Sequence, residues 1–109
     1  MPDHKLPFTE VKIAGFIFKV KKMARKANRV EGRMGFFSST SGEISICTDY
    51  PDDQNVDSLL HEIGHAIWWA YNIEESDPEE RVVRTQATAW TQVFRDNPQL
   101  LPWIQRTLN

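Results

Sequence analysis

The stretch SLLHEIGHAIWWAYN, residues 58–72, decides the fold and contains two of the three histidines in this chain of 109 residues. Apolar residues recur at helical spacing through it, which predicts an amphipathic helix that ends where the stretch ends. The predicted apolar face consists of Val56, Leu59, Leu60, Ile63, Ile67 and Ala70. His61 and His65 are four residues apart, so their side chains share one face of the helix, with Glu62 at about 100° from His61 around the axis.

The two histidines and the glutamate match the motif H-E-x-x-H. Two imidazole nitrogens so placed can each bind one zinc ion at about 2.0–2.1 Å. Glu62 then stands close to the ion and can act as a general base on a water molecule whose pKa the ion lowers towards ~7. The motif therefore predicts a Zn²⁺ site with His61 and His65 as metal ligands and Glu62 as the catalytic residue.

A third metal ligand has to come from outside this helix. The metzincin class would require Gly and His at the positions of Trp68 and Tyr71, so that class is excluded. The remaining histidine, His4, is far away in the sequence, which leaves a carboxylate as the expected ligand. Glu79 and Glu80 open the following helix and flank its predicted apolar stripe; Glu80 is the predicted ligand and Glu79 the first alternative. Three further carboxylates stay open as alternatives: Glu74, Glu75 and Asp77.

The first half of the chain has the pattern of β-strands. VKIAGFIFKVKK, residues 11–22, alternates in polarity and is rich in β-branched and aromatic residues. MGFFSSTSGEISIC, residues 34–47, indicates two short strands around a Ser/Gly turn; in the second, the two isoleucines face one way and Ser45 and Cys47 the other. ARKANRVEGR, residues 24–33, is expected to be a polar connector.

Two more helices are predicted after the motif helix. The first has Asp77 as its expected N-cap, Pro78 at its first position and Glu80 at the capping-box position. It is expected to end at Asn97, because a proline follows. Its predicted core stripe consists of Val83, Ala87, Trp90 and Phe94. The last helix is expected to bury Leu101, Trp103 and Ile104. Strands followed by helices predict an α+β fold, and the length predicts a single domain over residues 1–109, with strands at about 11–47 and helices at about 55–107.

Cysteine content and hydropathy limit the classes of protein. Cys47 is the single cysteine, which excludes an internal disulfide and a zinc ribbon and fits a reducing compartment. The first ten residues lack a basic-then-apolar signal pattern, and the early apolar run IAGFIF is far too short to span a bilayer. We therefore expect a cytoplasmic protein without a membrane partner.

The net charge of −2 conceals an uneven distribution. Seven Lys and Arg residues lie within residues 19–33, whereas residues 34–80 contain none and hold most of the acidic residues. An acidic middle favours a bound cation and a basic substrate. The basic stretch has no recognisable nucleic-acid motif, so nucleic acid is not an expected partner.

The motif helix and the segment after it, DSLLHEIGHAIWWAY and DPEERVVRTQATAWTQVFRDNP, resemble small zincin-like metallopeptidases of the ImmA/IrrE-like, gluzincin type, which often occur in phages and mobile elements. The resemblance extends over residues 32–98, and H-E-x-x-H is its specific part. It implies a small twisted, mostly antiparallel sheet packed on the metal helix, with zinc held by His61, His65 and a later glutamate, for which it favours Glu80, and with Glu62 as the base. The chain lacks the E-A-x-x-F-A pattern and the DNA-binding extension of the larger relatives.

The resemblance also implies how a substrate would bind. In such peptidases an edge strand above the metal pairs with an extended peptide, and residues 44–47 are the predicted strand, with an interior strand as the alternative. Trp68 and Trp69 follow His65 and either wall the site or pack in the core. The expected function is that of a zinc-dependent metallo-endopeptidase acting on a protein or peptide. The alternative is a metal-stabilised or degenerate zincin that acts as a protein-binding regulatory module.

Overall fold

The computed structural model describes residues 6–23 and 35–109, so His4 and the connector predicted at residues 24–33 lie outside the described part. Four strands come first: β1 Glu10–Ile13, β2 Phe16–Lys22, β3 Gly35–Ser38 and β4 Glu43–Ile46. Three helices follow: α1 Asp52–Ala70, α2 Glu79–Asp96 and α3 Leu100–Leu108. The predicted α+β fold, a sheet with the motif helix and two further helices, is confirmed.

The four strands form one mixed sheet in the order β1-β2-β4-β3. The β1–β2 and β3–β4 pairs are antiparallel and the β2–β4 pair is parallel, so the predicted mostly antiparallel sheet is confirmed. The prediction of an edge strand at residues 44–47 is wrong, because β4 lies between β2 and β3 and is paired on both sides. Within the described sheet the edges are β1 and β3.

A tight hairpin turn divides the pattern at residues 11–22 into β1 and β2. Ala14 and Gly15 both have positive φ, 52° and 85°. Positive φ at both central residues is the signature of a two-residue type I′ turn, whose twist matches that of the strands it joins. The turn sets the register in which Ile13 pairs with Phe16, so that Val11, Ile13 and Phe18 are buried on the same face of the sheet.

Helix α1 covers that face of the sheet and contacts mainly β3 and β4. It begins at Asp52, earlier than the predicted start near residue 55, and the acidic Asp52 and Asp53 suit the positive end of the helix dipole. The predicted apolar face is confirmed. Val56, Leu59, Ile63 and Ile67 are buried, and Leu60 and Ala70 are half-buried. The Asn55 side-chain amide donates to the backbone carbonyls of Thr48 and Tyr50, which ties the start of the helix to the loop that follows β4.

Helix α2 meets the sheet through a different face from the predicted one. Val83 and Phe94 of the predicted core stripe are 54% and 38% exposed. The buried residues of α2 are Ala89, Gln92 and Val93. The prediction was wrong because a polar residue, Gln92, is part of the inward face, and apolar periodicity cannot detect such a contact.

Two amide side chains hold α2 to the outer edge of β1. The Ala14 N–H donates to Gln92 Oε1 at 2.8 Å, and Gln92 Nε2 donates to the Lys12 carbonyl at 3.0 Å. The Lys12 N–H donates to Asn97 Oδ1 at 2.7 Å, and Asn97 Nδ2 donates back to the Lys12 carbonyl at 2.8 Å. These bonds satisfy backbone groups that an edge strand otherwise leaves open to another chain.

The pKa of Asp96 lies below its usual range. The main cause is the hydrogen bond that its carboxylate accepts from Arg95, and the second is the one that it accepts from Gln92.

Replacing Asn97 by alanine is expected to lower the free energy of unfolding by about 2–3 kcal/mol. The variant loses both bonds to Lys12 and the bond to the Val93 carbonyl, and Asn97 is buried. Urea denaturation measures the loss. Gln99→Ala is the control, because Gln99 reaches the same strand through one longer bond of 3.3 Å to the Glu10 carbonyl. Equal losses in the two variants would show that the three hydrogen bonds of Asn97 contribute no more to stability than the single bond of Gln99.

The structure also corrects the predicted N-cap of α2 and one residue that was predicted to be buried in α3. Pro78 occupies the N-cap position of α2 without a side-chain capping bond. The carboxylate of Asp77, the predicted N-cap, instead accepts from the Glu74 N–H at 2.8 Å and from the Arg81 guanidinium at 2.9 Å. In α3, Leu101 is 48% exposed and not buried as predicted, because the helix buries Leu100 and Trp103.

No helix in the described residues combines the length and apolarity needed to cross a membrane.

Candidate metal centre

The two motif histidines converge as the sequence predicts. Nε2 of His61 lies 3.1 Å from Nε2 of His65, and both side chains are exposed to solvent. Two nitrogens bound to one zinc ion at about 2.05 Å would be this far apart at an angle near 100°, close to tetrahedral. The same 3.1 Å contact allows one ring to donate a hydrogen bond to the other. The pair thus has the spacing of two ligands of a single ion.

The histidine pair opens into a cavity of about 590 Å³. The cavity is lined by His61, Gly64, His65, Trp68, Ile73 and Glu75. Its wall combines the two imidazoles with one carboxylate and two large apolar side chains. Such a mixture of apolar surface and a few converging polar groups is typical of a ligand site.

Glu62 lies on the side of α1 that faces the sheet. Only 6% of the residue is exposed. Gly35 of β3 packs directly against it, so that a Cβ atom at residue 35 would lie 2.9 Å from Glu62 Cγ and from Oε2. The carboxylate is therefore held between the motif helix and the described edge strand β3, and no pattern in the sequence indicates that Gly35 takes part in this arrangement.

Glu80, the predicted third ligand, points elsewhere in this structure. Its side chain is 79% exposed and pairs with Arg84 at 3.3 Å, and neither Glu80 nor Glu79 lines the cavity of the histidines. The carboxylate that shares this cavity is Glu75, one of the alternatives. In the ranges 6–23 and 35–109, no three His, Cys, Asp or Glu side chains are grouped closely enough to hold a metal.

A Schellman motif at the end of α1 brings Glu75 back towards the histidines. Asn72 adopts φ 54°, and its N–H donates to the Trp69 carbonyl. The Ile73 N–H donates to the Trp68 carbonyl, which completes the reversal. Ile73 is then buried, so the chain is turned back against the helix just before Glu75. The sequence signal was an Asn followed by an apolar residue after the last helical turn.

Gly64, between the two histidines, does not accommodate a close neighbour. A Cβ atom at this position would meet no atom of the described residues within 4 Å, so packing against them does not require a glycine here. Glycine in a helix interior costs about 0.5–1 kcal/mol relative to alanine. The Gly64→Ala variant is therefore expected to raise the free energy of unfolding by about that amount. Thermal and urea unfolding measure this gain, and a destabilised variant would contradict it.

The two tryptophans after His65 have different roles. Trp68 lines the cavity. Trp69 is 41% exposed and packs with Phe16, Phe18 and Phe37 at centroid distances of 4.9, 5.9 and 6.3 Å. One tryptophan therefore walls the site and the other joins an aromatic cluster between α1 and the sheet.

No family model, curated protein or solved structure matches the chain. A functional proposal therefore has to come from the chemistry of the cavity. The groups that carry it are the two converging imidazoles and the carboxylate of Glu75, which line the cavity, and the buried carboxylate of Glu62, which is next to His61 on α1 but is not among the lining residues.

Proposed function

We propose that the protein is a zinc-dependent metallo-endopeptidase. The observation that carries this proposal is the 3.1 Å separation of His61 Nε2 and His65 Nε2 at the mouth of a solvent-accessible cavity. The residue that follows His61 in the motif is a glutamate, the residue type that serves as general base in H-E-x-x-H peptidases. Together these features support metal-assisted hydrolysis.

The residues present fit a zinc ion in part. His61 and His65 supply two nitrogen ligands, and Glu75 is the carboxylate that we propose as the third, in place of Glu80. Two histidines and one carboxylate form a ligand set used by catalytic zinc sites, which keep one position open. The chemistry that a bound zinc ion supplies is Lewis acidity towards the scissile carbonyl and an attacking water.

Glu62 moves the proton in this proposal. Its carboxylate accepts a proton from the attacking water and later donates it to the nitrogen of the leaving amine, so that no covalent intermediate is needed. Packing against Gly35 restricts the carboxylate to one place, which favours the same orientation in every turnover. The apolar walls formed by Trp68 and Ile73 favour an apolar substrate side chain beside the scissile bond.

A second candidate function is a metal-stabilised regulatory module that binds a protein without cleaving it. The observation that favours it is that the described residues do not present three preorganised metal ligands. In that case the histidine pair would bind metal to stabilise α1, and the cavity would hold a partner side chain. Hydrolysis of a peptide library by the zinc-loaded protein separates the two functions, because only the peptidase cleaves.

The metal proposal is tested by titrating zinc into the metal-free protein, with metal content checked by mass spectrometry. We expect Glu75→Ala to weaken zinc binding by at least about tenfold, because it removes a ligand. Glu80→Ala is the matched control and is expected to change the affinity by less than about twofold, since an exposed carboxylate away from the ion contributes little. The reverse result would assign the third ligand to Glu80, and a wild-type protein that binds no zinc would refute the proposal.

A further inference from the structure

Helix α2 carries a second apolar stripe that lies mostly outside the described core, against which only its Trp90 packs. The stripe consists of Val83, Ala87, Trp90 and Phe94, spaced at four, three and four residues. Val83 and Phe94 are 54% and 38% exposed, Ala87 is exposed and Trp90 is half-buried. The Trp90 and Phe94 rings stack at 5.8 Å, which gives the stripe a broad aromatic end. Because the inward face of α2 is centred roughly a third of a turn away, the two faces are distinct.

The spacing of the stripe is symmetric about its centre. Val83 and Phe94 are equally far from the point between Thr88 and Ala89, and so are Ala87 and Trp90. An isologous contact requires this property, because residue i of one copy meets residue j of the other and j meets i. In an antiparallel pair of α2 helices, Ala87 would face Trp90 and Val83 would face Phe94. Each contact sets a smaller side chain against a larger one, as close packing requires.

We propose that α2 pairs antiparallel with α2 of a second copy of the chain, forming a two-fold homodimer through this stripe. The proposal does not depend on the metal centre, so either can fail without the other.

The charges that border the stripe favour the same pairing. Glu80 and Arg95 lie on the same flank of α2, at opposite ends of the stripe. In the antiparallel pair, Arg95 of the second copy would lie within about 3 Å of Glu80 along the helix axis. Glu80, already paired with its own Arg84 at 3.3 Å, would then also lie near the Arg95 guanidinium of the second copy, which is paired with its own Asp96 at 2.9 Å. Such exposed pairs add little affinity, but they select the antiparallel orientation over the parallel one.

The first test is the molar mass of the protein as a function of concentration. A single helix pair buries less area than a standard stable interface, so association is expected to rise over about 10 µM to 1 mM. Sedimentation equilibrium should show the mass increase from 12.7 kDa towards twice that value. Phe94→Asp should weaken association at least tenfold, whereas Thr88→Asp, exposed on another face of the same helix, should not. A protein that stays monomeric throughout, or that is indifferent to Phe94→Asp, would overturn the proposal.

The second test fixes the register by disulfide cross-linking. In the antiparallel pair, the two copies of residue 87 are about 4.5 Å apart along the axis, and the two copies of residue 83 about 16 Å apart. A disulfide needs Cα atoms within about 7 Å. Ala87→Cys should therefore cross-link under mild oxidation and Val83→Cys should not, and the native Cys47 does not compete because it is buried. Equal cross-linking at both positions would indicate a parallel pair and contradict the proposal.

Discussion

Glu62→Gln is expected to lower peptide hydrolysis by about 10²–10⁴-fold while zinc content stays the same. Glutamine has the shape of glutamate and keeps the packing against Gly35, but it cannot accept the proton of the attacking water. Neither imidazole is altered, so the ligands His61 and His65 remain. The measurement is the rate of cleavage of a fluorogenic peptide, combined with metal analysis of the same samples.

Two control variants make this result specific. Asp57→Asn removes an exposed carboxylate from the same helix and should leave both hydrolysis and zinc unchanged. His65→Ala should lose zinc and hydrolysis together, because it removes a ligand. If the Glu62→Gln variant hydrolyses peptide at the wild-type rate, Glu62 is not the base. If the zinc-loaded wild type cleaves no peptide in a broad library, the result supports the second function, a metal-stabilised regulatory module that binds a protein without cleaving it.

Gly35→Ala, a substitution in the neighbouring strand β3, should lower the rate of peptide hydrolysis. The new methyl group would lie 2.9 Å from Glu62 Cγ and Oε2, closer than real contacts allow, and the buried Glu62 has little room to withdraw. We expect hydrolysis to fall by at least about tenfold, because small displacements of a catalytic group are costly. We also expect the free energy of unfolding to drop by about 1–3 kcal/mol from the overpacking. Zinc affinity should stay within about twofold, since the three atoms nearest to the new methyl group belong to Glu62 and not to a histidine ligand.

The matched control for Gly35→Ala is Gly64→Ala, which adds the same methyl group beside the histidines, where no atom of residues 6–23 and 35–109 lies within 4 Å of it. Its stability should rise and not fall. Cleavage assays, zinc titration and urea unfolding are carried out on both variants. The comparison shows whether a loss comes from adding a methyl group to the site or from its position against Glu62. Wild-type hydrolysis by Gly35→Ala would mean that the carboxylate position held by β3 is not the position in which Glu62 acts.

Local patterns in the sequence were enough to predict the motif helix and the convergence of its histidines. Residues four apart meet on any α-helix, so the contact between His61 and His65 requires no knowledge of the rest of the fold. The apolar part of the buried face of α1 followed from the same periodicity, whereas the burial of the polar residues Asn55, Ser58 and Glu62 did not. The order of strands and helices likewise predicted the α+β class.

Only the tertiary structure decided which groups surround that helix. The interior position of β4 depends on strand pairing between distant segments, which alternation along one strand does not encode. The face of α2 was set by hydrogen bonds that join the side chains of Gln92 and Asn97 to the backbone of the first hairpin, and Val83 and Phe94 were left exposed. Glu75, not Glu80, shares the cavity because the chain reverses at Asn72. Periodicity records which side of an element is apolar, whereas long-range contacts determine what that side meets.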